Sequence, residues 1–386
     1  ARTDLASRSG LSRATISAIA AELIESGIVV DGPQRASRGG RPARVLQFAE
    51  ASRTLIGVEL GASHLSAVRT DLRGHVQAAE RHEHDVQADP EGTLHILGRV
   101  LESLLSTSTV PVIGIGLGVP SPILHDRPGR LSADLFPRWA SVDLASWVTA
   151  HTGLPTMLDN DANLGALAEH WWGAGRGRTD FAYVKVATGV GAGVIINGDI
   201  YRGSGGIAGE IGHTAIDSSG PRCRCGLSGC LESMVGTQSL LERAREAAIA
   251  HPTPLPWAGE ALTLQSLIDS ANDGEPTARE LIARTGHWLG IALANLLNLI
   301  NPSCIVLGGR LTRAGDLLLV PLRAAMAERA LWSSVVESSV VVSTLPGEPI
   351  ALGAATLLLQ AILSDPAPLL SGDEALGTVS LRQLPA

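Results

Sequence analysis

Two distant segments of the chain share one texture. Residues 55–76, L-I-G-V-E-L-G-A-S-H-L-S-A-V-R-T-D-L-R-G-H-V, read as an apolar strand, a glycine-bearing bend and a returning strand. Residues 181–201, F-A-Y-V-K-V-A-T-G-V-G-A-G-V-I-I-N-G-D-I-Y, repeat that pattern more than a hundred residues later. Each unit heads its own run of helices and strands. After the first come a helical segment from His95 to Leu105, the strand V-I-G-I-G-L-G-V and a strand ending in D-N-D-A-N. A helix from about Leu164 to Trp172 follows that polar tip. After the second come a long helix from about Ala278 to Leu299, the strand C-I-V-L-G-G and a further helix. The alternation predicts an α/β protein with two related lobes and a cleft between them. At 386 residues the chain is too long for one compact core, which agrees with division into domains. The expected boundaries are a smaller lobe over 55–160, joined by a C-terminal helix at about 351–364, and a larger lobe over 161–350.

Residues 1–50 have a different character. T-D-L-A-S-R-S-G-L-S-R-A-T-I-S-A-I-A-A-E-L-I-E-S-G-I predicts helix, turn at Gly10, and helix capped by Ser12. Ile16, Ile19, Ala20, Leu23 and Ile24 recur on one face, leaving Arg13, Thr15, Ser17 and Ala18 opposite, small or polar enough to approach a base edge. Two β-rich runs then flank a Gly/Arg/Pro loop, the pattern of a winged helix-turn-helix, whose second helix enters the major groove. The segment holds seven arginines against five acids, about +2, whereas the remainder carries about −10. Arg35, Arg38, Arg41 and Arg44 fall within ten residues with no acid among them, so the loop suits an anionic partner. The competing reading is a helical hairpin that packs on a neighbour. A module that opens in mid-motif is expected to have a first helix ahead of residue 1.

With 45% hydrophobic and 18% charged residues the chain reads as globular. No apolar run reaches transmembrane length and no basic-apolar leader opens the sequence, so the expected location is the cytoplasm and no membrane partner is expected. Lys185 is the only lysine, an imbalance read as genome composition bias.

Three of the four cysteines lie within eight residues, in G-H-T-A-I-D-S-S-G-P-R-C-R-C-G-L-S-G-C (212–230). Reduced thiols in the cytoplasm favour metal over disulfide. His213, Cys223, Cys225 and Cys230 form a one-imidazole, three-thiolate set suited to tetrahedral structural zinc, with no open coordination position. Free thiols on a loop are the competing reading, and C-x-C is not the C-x-x-C of a redox pair. Nearby, Glu210 and Glu232 flank this loop, and Asn160 and Asp161 end the earlier strand. An amide and several carboxylates suit a vicinal polyol, whose hydroxyls each need an acceptor once buried. The two glycine-rich bends, at Gly61 and at Thr188, Gly189 and Gly191, could cradle phosphates through backbone N–H groups or simply turn hairpins. No G-x-x-x-x-G-K-[ST] occurs.

Taken in order, D-N-D-A-N, the G-x-G-x-G hairpin, G-E-I-G-H and C-x-C-G-x-x-G-C-x-E resemble the ROK family of repressors, uncharacterised reading frames and sugar kinases, over residues about 55 to 360. The winged module ahead of them resembles its repressor branch, the relatives of xylose, glucose and N-acetylglucosamine regulators. The resemblance implies an actin-like, two-lobed ATPase fold with sugar in the interlobe cleft. It implies sugar contacts from Asn160, Asp161, Glu210, His213 and Glu232, so that His213 faces zinc with one nitrogen and a sugar hydroxyl with the other. In the family's kinases the residue at Asp161 is the general base. The family's first phosphate loop, D-x-G-G-T, here reads Glu59-Leu60-Gly61-Ala62-Ser63, and His64 stands where kinases often carry lysine. Glu59 is one methylene too long, and Ala62 adds a Cβ where backbone should curl on phosphate. Thr188, Gly189 and Gly191 still match the second phosphate element, and Gly308 and Gly309 the adenosine element. The segment D-L-F-P-R-W at 134–139 departs from the usual N-L-x-G-W.

The expected function is therefore a sugar-responsive repressor, dimeric or tetrameric, with operator DNA and a small sugar as partners and structural Zn²⁺ as cofactor. An ATP- and Mg²⁺-dependent sugar kinase with a regulatory module is the first alternative. A DNA-binding protein whose sensor lobe takes a protein partner is the second.

Overall fold

A computed structural model of the protein describes residues 1–35, 43–127, 129–133, 135–258, 262–331 and 340–364. The N-terminal module is helix α1 (Arg2–Ser9), a turn at Gly10 with φ of 71°, and helix α2 (Arg13–Glu25). The Ser12 hydroxyl accepts from the Thr15 N–H at 3.1 Å, supplying the N-cap that starts α2. Strands β1 (Val29–Arg35) and β2 (Ala43–Phe48) follow as an antiparallel hairpin with Val29 opposite Phe48. Only Ile16 and Ala20 of α2 are buried, and Ile19 is exposed, so the apolar stripe is narrower than the spacing predicts. Arg13, Thr15, Ser17 and Ala18 are exposed on α2. The Thr15 hydroxyl meets that of Ser12 at 2.8 Å and the Ser17 hydroxyl donates to the Arg13 carbonyl. Arg35 ends β1, Arg44 lies 3.5 Å from Asp31, and Arg38 and Arg41 lie outside the described residues.

The first large sheet is built from β3 (Thr54–Leu60), β4 (His64–Asp71), β5 (Val76–Glu83), β6 (Val112–Val119) and β7 (Thr156–Asn160), in the order β5-β4-β3-β6-β7. Strands β3 to β5 form an antiparallel meander, whereas β3, β6 and β7 run parallel. Helices α3 (Pro90–Ser106) and α4 (Leu144–Thr152) supply the crossovers. The second sheet uses β8 (Phe181–Val186), β9 (Val190–Ile196), β10 (Asp199–Ile200), β11 (Ile305–Gly308) and β12 (Val340–Val342) in the order β10-β9-β8-β11-β12. Its antiparallel and parallel pairings fall in the same places, so the two sheets repeat one topology. That repeat is what the paired strand-glycine-strand units foreshadow.

Helices α6 (Leu231–Val235), α7 (Thr237–Ala250), α8 (Leu264–Asn272), α9 (Pro276–Ile300) and α10 (Asp316–Arg329) belong to the second sheet's half. Among the described residues two helices lie between the sheets: α5 (Asp161–Trp172) and α11 (Pro349–Ser364). Their apolar side chains share one core with residues of both sheets, among them Leu55, Met157, Phe181, Tyr183, Val306, Leu164 and Leu357. The glycines of β3 and β6 let α11 lie directly on the sheet. A Cβ at Gly57 would fall 1.8 Å from the Ala351 carbonyl oxygen, and one at Gly116 would fall 1.9 Å from that of Ala354. In the departing segment, Phe136 and Trp139 are core residues, and the Trp139 indole N–H donates to the Val86 carbonyl at 2.8 Å. Asp134 lies outside the described residues. Among the described residues no helix is long and apolar enough to cross a membrane.

Candidate functional site

The cysteine loop closes on itself through local backbone pairing. Ala215 bridges Cys230, Arg222 bridges Ser228, and the Cys223 N–H donates to the Leu227 carbonyl at 2.7 Å. His213 ends a 3-10 turn (Ile211–His213), and Cys230 immediately precedes α6. The four ligand atoms of His213, Cys223, Cys225 and Cys230 lie within 4.8 Å of one another. Cys225 Sγ is 3.7 Å from Cys230 Sγ, and Cys223 Sγ is 3.7 Å from His213 Nδ1. A tetrahedron with metal–sulfur bonds of about 2.3 Å has edges of about 3.8 Å, so the set has the size zinc requires. Burial and the neighbouring thiols push Cys230 up to about 12, a direction that a cation among the thiols would reverse. With Nδ1 turned to the thiols, His213 Nε2 faces the other way and stands 3.9 Å from Glu210 Oε2.

The other polar residues converge on the floor between the sheets. Asp161 does not end the strand but is the first residue of α5, which begins three residues earlier than the apolar pattern predicts. The reason is Asn160, whose side-chain oxygen accepts from the N–H groups of Ala162 at 2.9 Å and Asn163 at 3.3 Å. Its amide nitrogen donates to the Ser121 carbonyl at 3.2 Å, so Asn160 is committed to shaping the floor. Asp159 anchors the same corner, accepting from Asn160 N–H and Asn163 Nδ2 and holding Arg202 at 2.6 Å.

Lys185 of β8 lies between two carboxylates, 2.7 Å from Asp161 Oδ2 and 3.0 Å from Glu59 Oε1 of β3. Burial would push Glu59 up, but Lys185 and His64 bring it down to about 2. Burial also pushes Asp161 above its ordinary value, opposed by the Lys185 ammonium. Burial would lower the Lys185 ammonium, yet the two carboxylates hold it above its usual range, so the group is a cation. Glu210 is raised to about 7 by burial, then by the charges of Asp161 and Glu232, with Arg224 opposing. Glu232 is buried and accepts from Arg224 Nε at 2.7 Å and from the Val190 N–H at 3.1 Å. Arg224 stands between Cys223 and Cys225, so the metal-ligand loop and Glu232 are one unit. Asp161, Glu210, Glu232 and His213 Nε2 thus provide several acceptors and one nitrogen around one region, an arrangement able to hold a polyol.

The glycines matched to nucleotide elements have other partners. The His64 ring folds over Gly61, where an added Cβ would fall 2.3 Å from it. Gly308 admits the Tyr183 ring, and Gly309, at φ of 100°, passes the Val186 carbonyl. Gly189 lies beside the Glu232 carboxylate and Gly191 beside Ala162. Thr188 accompanies them in the β8–β9 bend. Sequence reasoning missed Lys185, Arg202 and Arg224. For Lys185 a signal existed in its being the only lysine, which composition bias was taken to explain.

The ROK family profile matches residues 55–361. The xylose repressor of Caldicellulosiruptor bescii is 31% identical over 95% of this chain and 93% of its own length. Among solved structures, a ROK family transcriptional regulator that is a homologue of the E. coli MLC protein superposes with a TM-score of 0.80 at 26% identity, covering 97% of this chain and 94% of that one. A ROK family glucokinase from Streptomyces griseus, solved with glucose and AMPPNP, superposes with a TM-score of 0.71 at 26% identity, over 79% of this chain and 98% of that one. The kinase covers 79% of this chain, whereas the regulators cover 95% or more of it. By its matched profile and its full-length relatives, this chain belongs to the ROK family.

Proposed function

We propose that the protein is a cytoplasmic, sugar-responsive transcriptional repressor. A winged helix-turn-helix at residues 1–50 would grip operator DNA through Arg13, Thr15, Ser17 and the arginines Arg35, Arg38 and Arg41 of the wing. A monosaccharide in the cleft between the 55–160 and 161–350 lobes would bias one lobe arrangement and so alter DNA affinity. The observation that carries this reading is the union, on one chain, of an exposed-faced helix-turn-helix with a cleft whose carboxylates are set as acceptors. Two such modules in a dimer, or four in a tetramer, would match a palindromic operator.

His213, Cys223, Cys225 and Cys230 would hold Zn²⁺, and their geometry and donor chemistry fit that ion. Bound there, the metal would fix the His213 ring and its tautomer, leaving Nε2 for a sugar hydroxyl. The kinase alternative has less support. A general base must be free to take the hydroxyl proton, and the Asp161 carboxylate is already bound to an ammonium at 2.7 Å. The His64 ring lies over the loop that would receive phosphate.

The test is calorimetric titration with D-xylose, D-glucose and N-acetyl-D-glucosamine, alongside an ATP-turnover assay on the same panel. Binding without turnover is the expected result, and Asp161→Ala abolishes sugar response while operator binding survives. Robust turnover would instead make the protein a kinase. No binding by any sugar would favour a protein partner for the sensor lobes.

A further inference from the structure

Of the 30 Lys and Arg residues in the chain, one is lysine, and it sits between the two lobes. Arginine serves at every other basic position, so the exception asks for a physical reason. Lysine presents a compact point charge with rotatable donors, whereas arginine presents a wide planar fork. The site around Lys185 needs the former. Its Nζ meets Glu59 Oε1 at 3.0 Å and Asp161 Oδ2 at 2.7 Å, and all three side chains are nearly closed to solvent. Glu59 comes from β3 of the first sheet, Lys185 from β8 of the second, and Asp161 from the helix between them. Each strand is the one from which its sheet's repeat begins, so the contact joins equivalent points of the two halves.

We infer that Lys185 is a positioning residue, a fixed internal cation that latches the two lobes across the cleft floor and keeps Asp161 a hydrogen-bond acceptor aimed at the ligand. The sugar-affinity consequence rests on the sugar-binding reading above. The latch does not, and it has its own measurement.

Removing the cation while leaving both carboxylates is the informative change. In Lys185→Met, Glu59 and Asp161 face each other without a counter-charge, and Glu210 and the Tyr183 hydroxyl lie within the same electrostatic neighbourhood. His64 remains beside Glu59. Two like charges sharing a buried site cannot both ionise cheaply, so one carboxyl takes a proton and its value rises above that of the unfolded chain. A group raised in this way contributes stability that is present at low pH and lost as pH rises through its folded value. Lys185→Met is therefore expected to melt at a lower temperature at pH 8.5 than at pH 6. Lys185→Met/Glu59→Gln removes the like-charge contact, so its difference, like that of the wild type, is expected to be smaller, what remains reflecting the burial of Asp161 and Glu210.

The experiment compares wild type, Lys185→Met and Lys185→Met/Glu59→Gln by thermal melting at both pH values and by calorimetry with D-xylose, D-glucose and N-acetyl-D-glucosamine. For whichever sugar the wild type binds, Lys185→Met is expected to lose at least about tenfold in affinity, one missing charge-assisted hydrogen bond's worth. The double variant recovers to within a few-fold. Wild-type affinity and a wild-type pH profile in Lys185→Met would overturn the inference. A double variant whose melting difference is as large as that of the single one would do so too, because relieving the Glu59–Asp161 like-charge contact would then change nothing. If the wild type binds none of the three sugars, the sugar reading fails, and the latch stands or falls on the melting profiles alone. If Lys185→Met does not fold at pH 8.5 but folds at pH 6, and the double variant folds at both, the latch is upheld.

Discussion

With Zn²⁺ bound as proposed at His213, Cys223, Cys225 and Cys230, stripping the metal is predicted to disable the cleft before it unfolds the protein. The structure separates the two effects. The core of the second half includes Leu289 and Leu293 of α9, Leu307 of β11 and Leu322 of α10, all outside the loop. The loop also has backbone pairings of its own at Ala215–Cys230 and Arg222–Ser228. The cleft, in contrast, depends on it twice. His213 is oriented by its Nδ1 lying against Cys223, and Glu232 is held by Arg224, which the loop carries between two ligand cysteines. Losing the aim of two hydrogen bonds that involve charged groups costs about 3–6 kcal/mol, a factor of at least about 100 in sugar affinity. A local loss of order worth about 1–2 kcal/mol lowers the melting temperature by only several degrees in a body this size. The assay is calorimetric titration with the sugar the protein binds, before and after treatment with a chelator, with metal content and melting temperature followed in parallel. Sugar affinity unchanged after metal loss would refute the coupling and leave the loop purely structural. Unfolding in step with metal loss would refute the separation of loop from core.

Asn160→Ala removes the cap of α5 and is expected to cost about 1 kcal/mol in urea unfolding, with Asn160→Asp costing less because a carboxylate still accepts from the same N–H groups. Gly57→Ala drives a Cβ into the Ala351 carbonyl and is expected to destabilise by about 3 kcal/mol or more, read from the same unfolding curves. Arg13→Ala, on the exposed first turn of α2, should weaken operator binding and reduce the salt slope by about 1, measured by gel shift across salt concentrations; Arg38→Ala carries the same expectation for the wing. Ile362→Ala, where α11 meets the N-terminal module, leaves sugar affinity as in the wild type and shrinks the change in operator affinity that sugar produces. An undiminished change would rule out a route through α11.

Much of the architecture was legible because it rests on local chemistry. Ser12 and Gly10 mark the helix-turn-helix through capping and positive φ, and the paired hairpins disclose the repeated sheet topology. The convergence of His213, Cys223, Cys225 and Cys230 was legible because thiolate and imidazole spacing of that kind has few other uses. What escaped was whatever depends on residues distant in sequence. Lys185 takes its meaning from Glu59, 126 positions away, and no spacing rule pairs them. Arg202 likewise reads as an ordinary loop arginine until Asp159 is seen behind it. The start of α5 was misjudged because Asp161, Ala162 and Asn163 show no apolar period, and the Asn160 cap overrides that silence. Gly308 and Gly309 match nucleotide glycines in the sequence, and the close approach of Tyr183 and Val186, both on β8, is visible only in the fold.

The same long-range logic links the cleft to the N-terminal module. Helix α11 is preceded by Glu348, which accepts from Arg81 of β5 at 3.1 and 3.2 Å, near Glu59 and His64. Its other end presents Ile362 and Leu363 to Leu23 of α2, Val29 of β1 and Phe48 of β2, around a cavity of about 260 Å³. Between those ends α11 rests on β3 and β6 through Gly57 and Gly116, with no side chains of theirs interposed. Contact at backbone distance holds α11 directly on β3 and β6, so a shift of β3 would be passed to α11. Glu59 sits on β3, bound to the Lys185 ammonium that also holds Asp161. A ligand that draws on Asp161 therefore acts on a charge shared with β3, and β3 carries the helix whose far end seats the module. The cavity at that seat is where the motion can be taken up, since packed interiors transmit displacement and voids absorb it. Coupling of about 1–3 kcal/mol, typical between distant sites, needs no larger rearrangement than a tilt of α11 over that space.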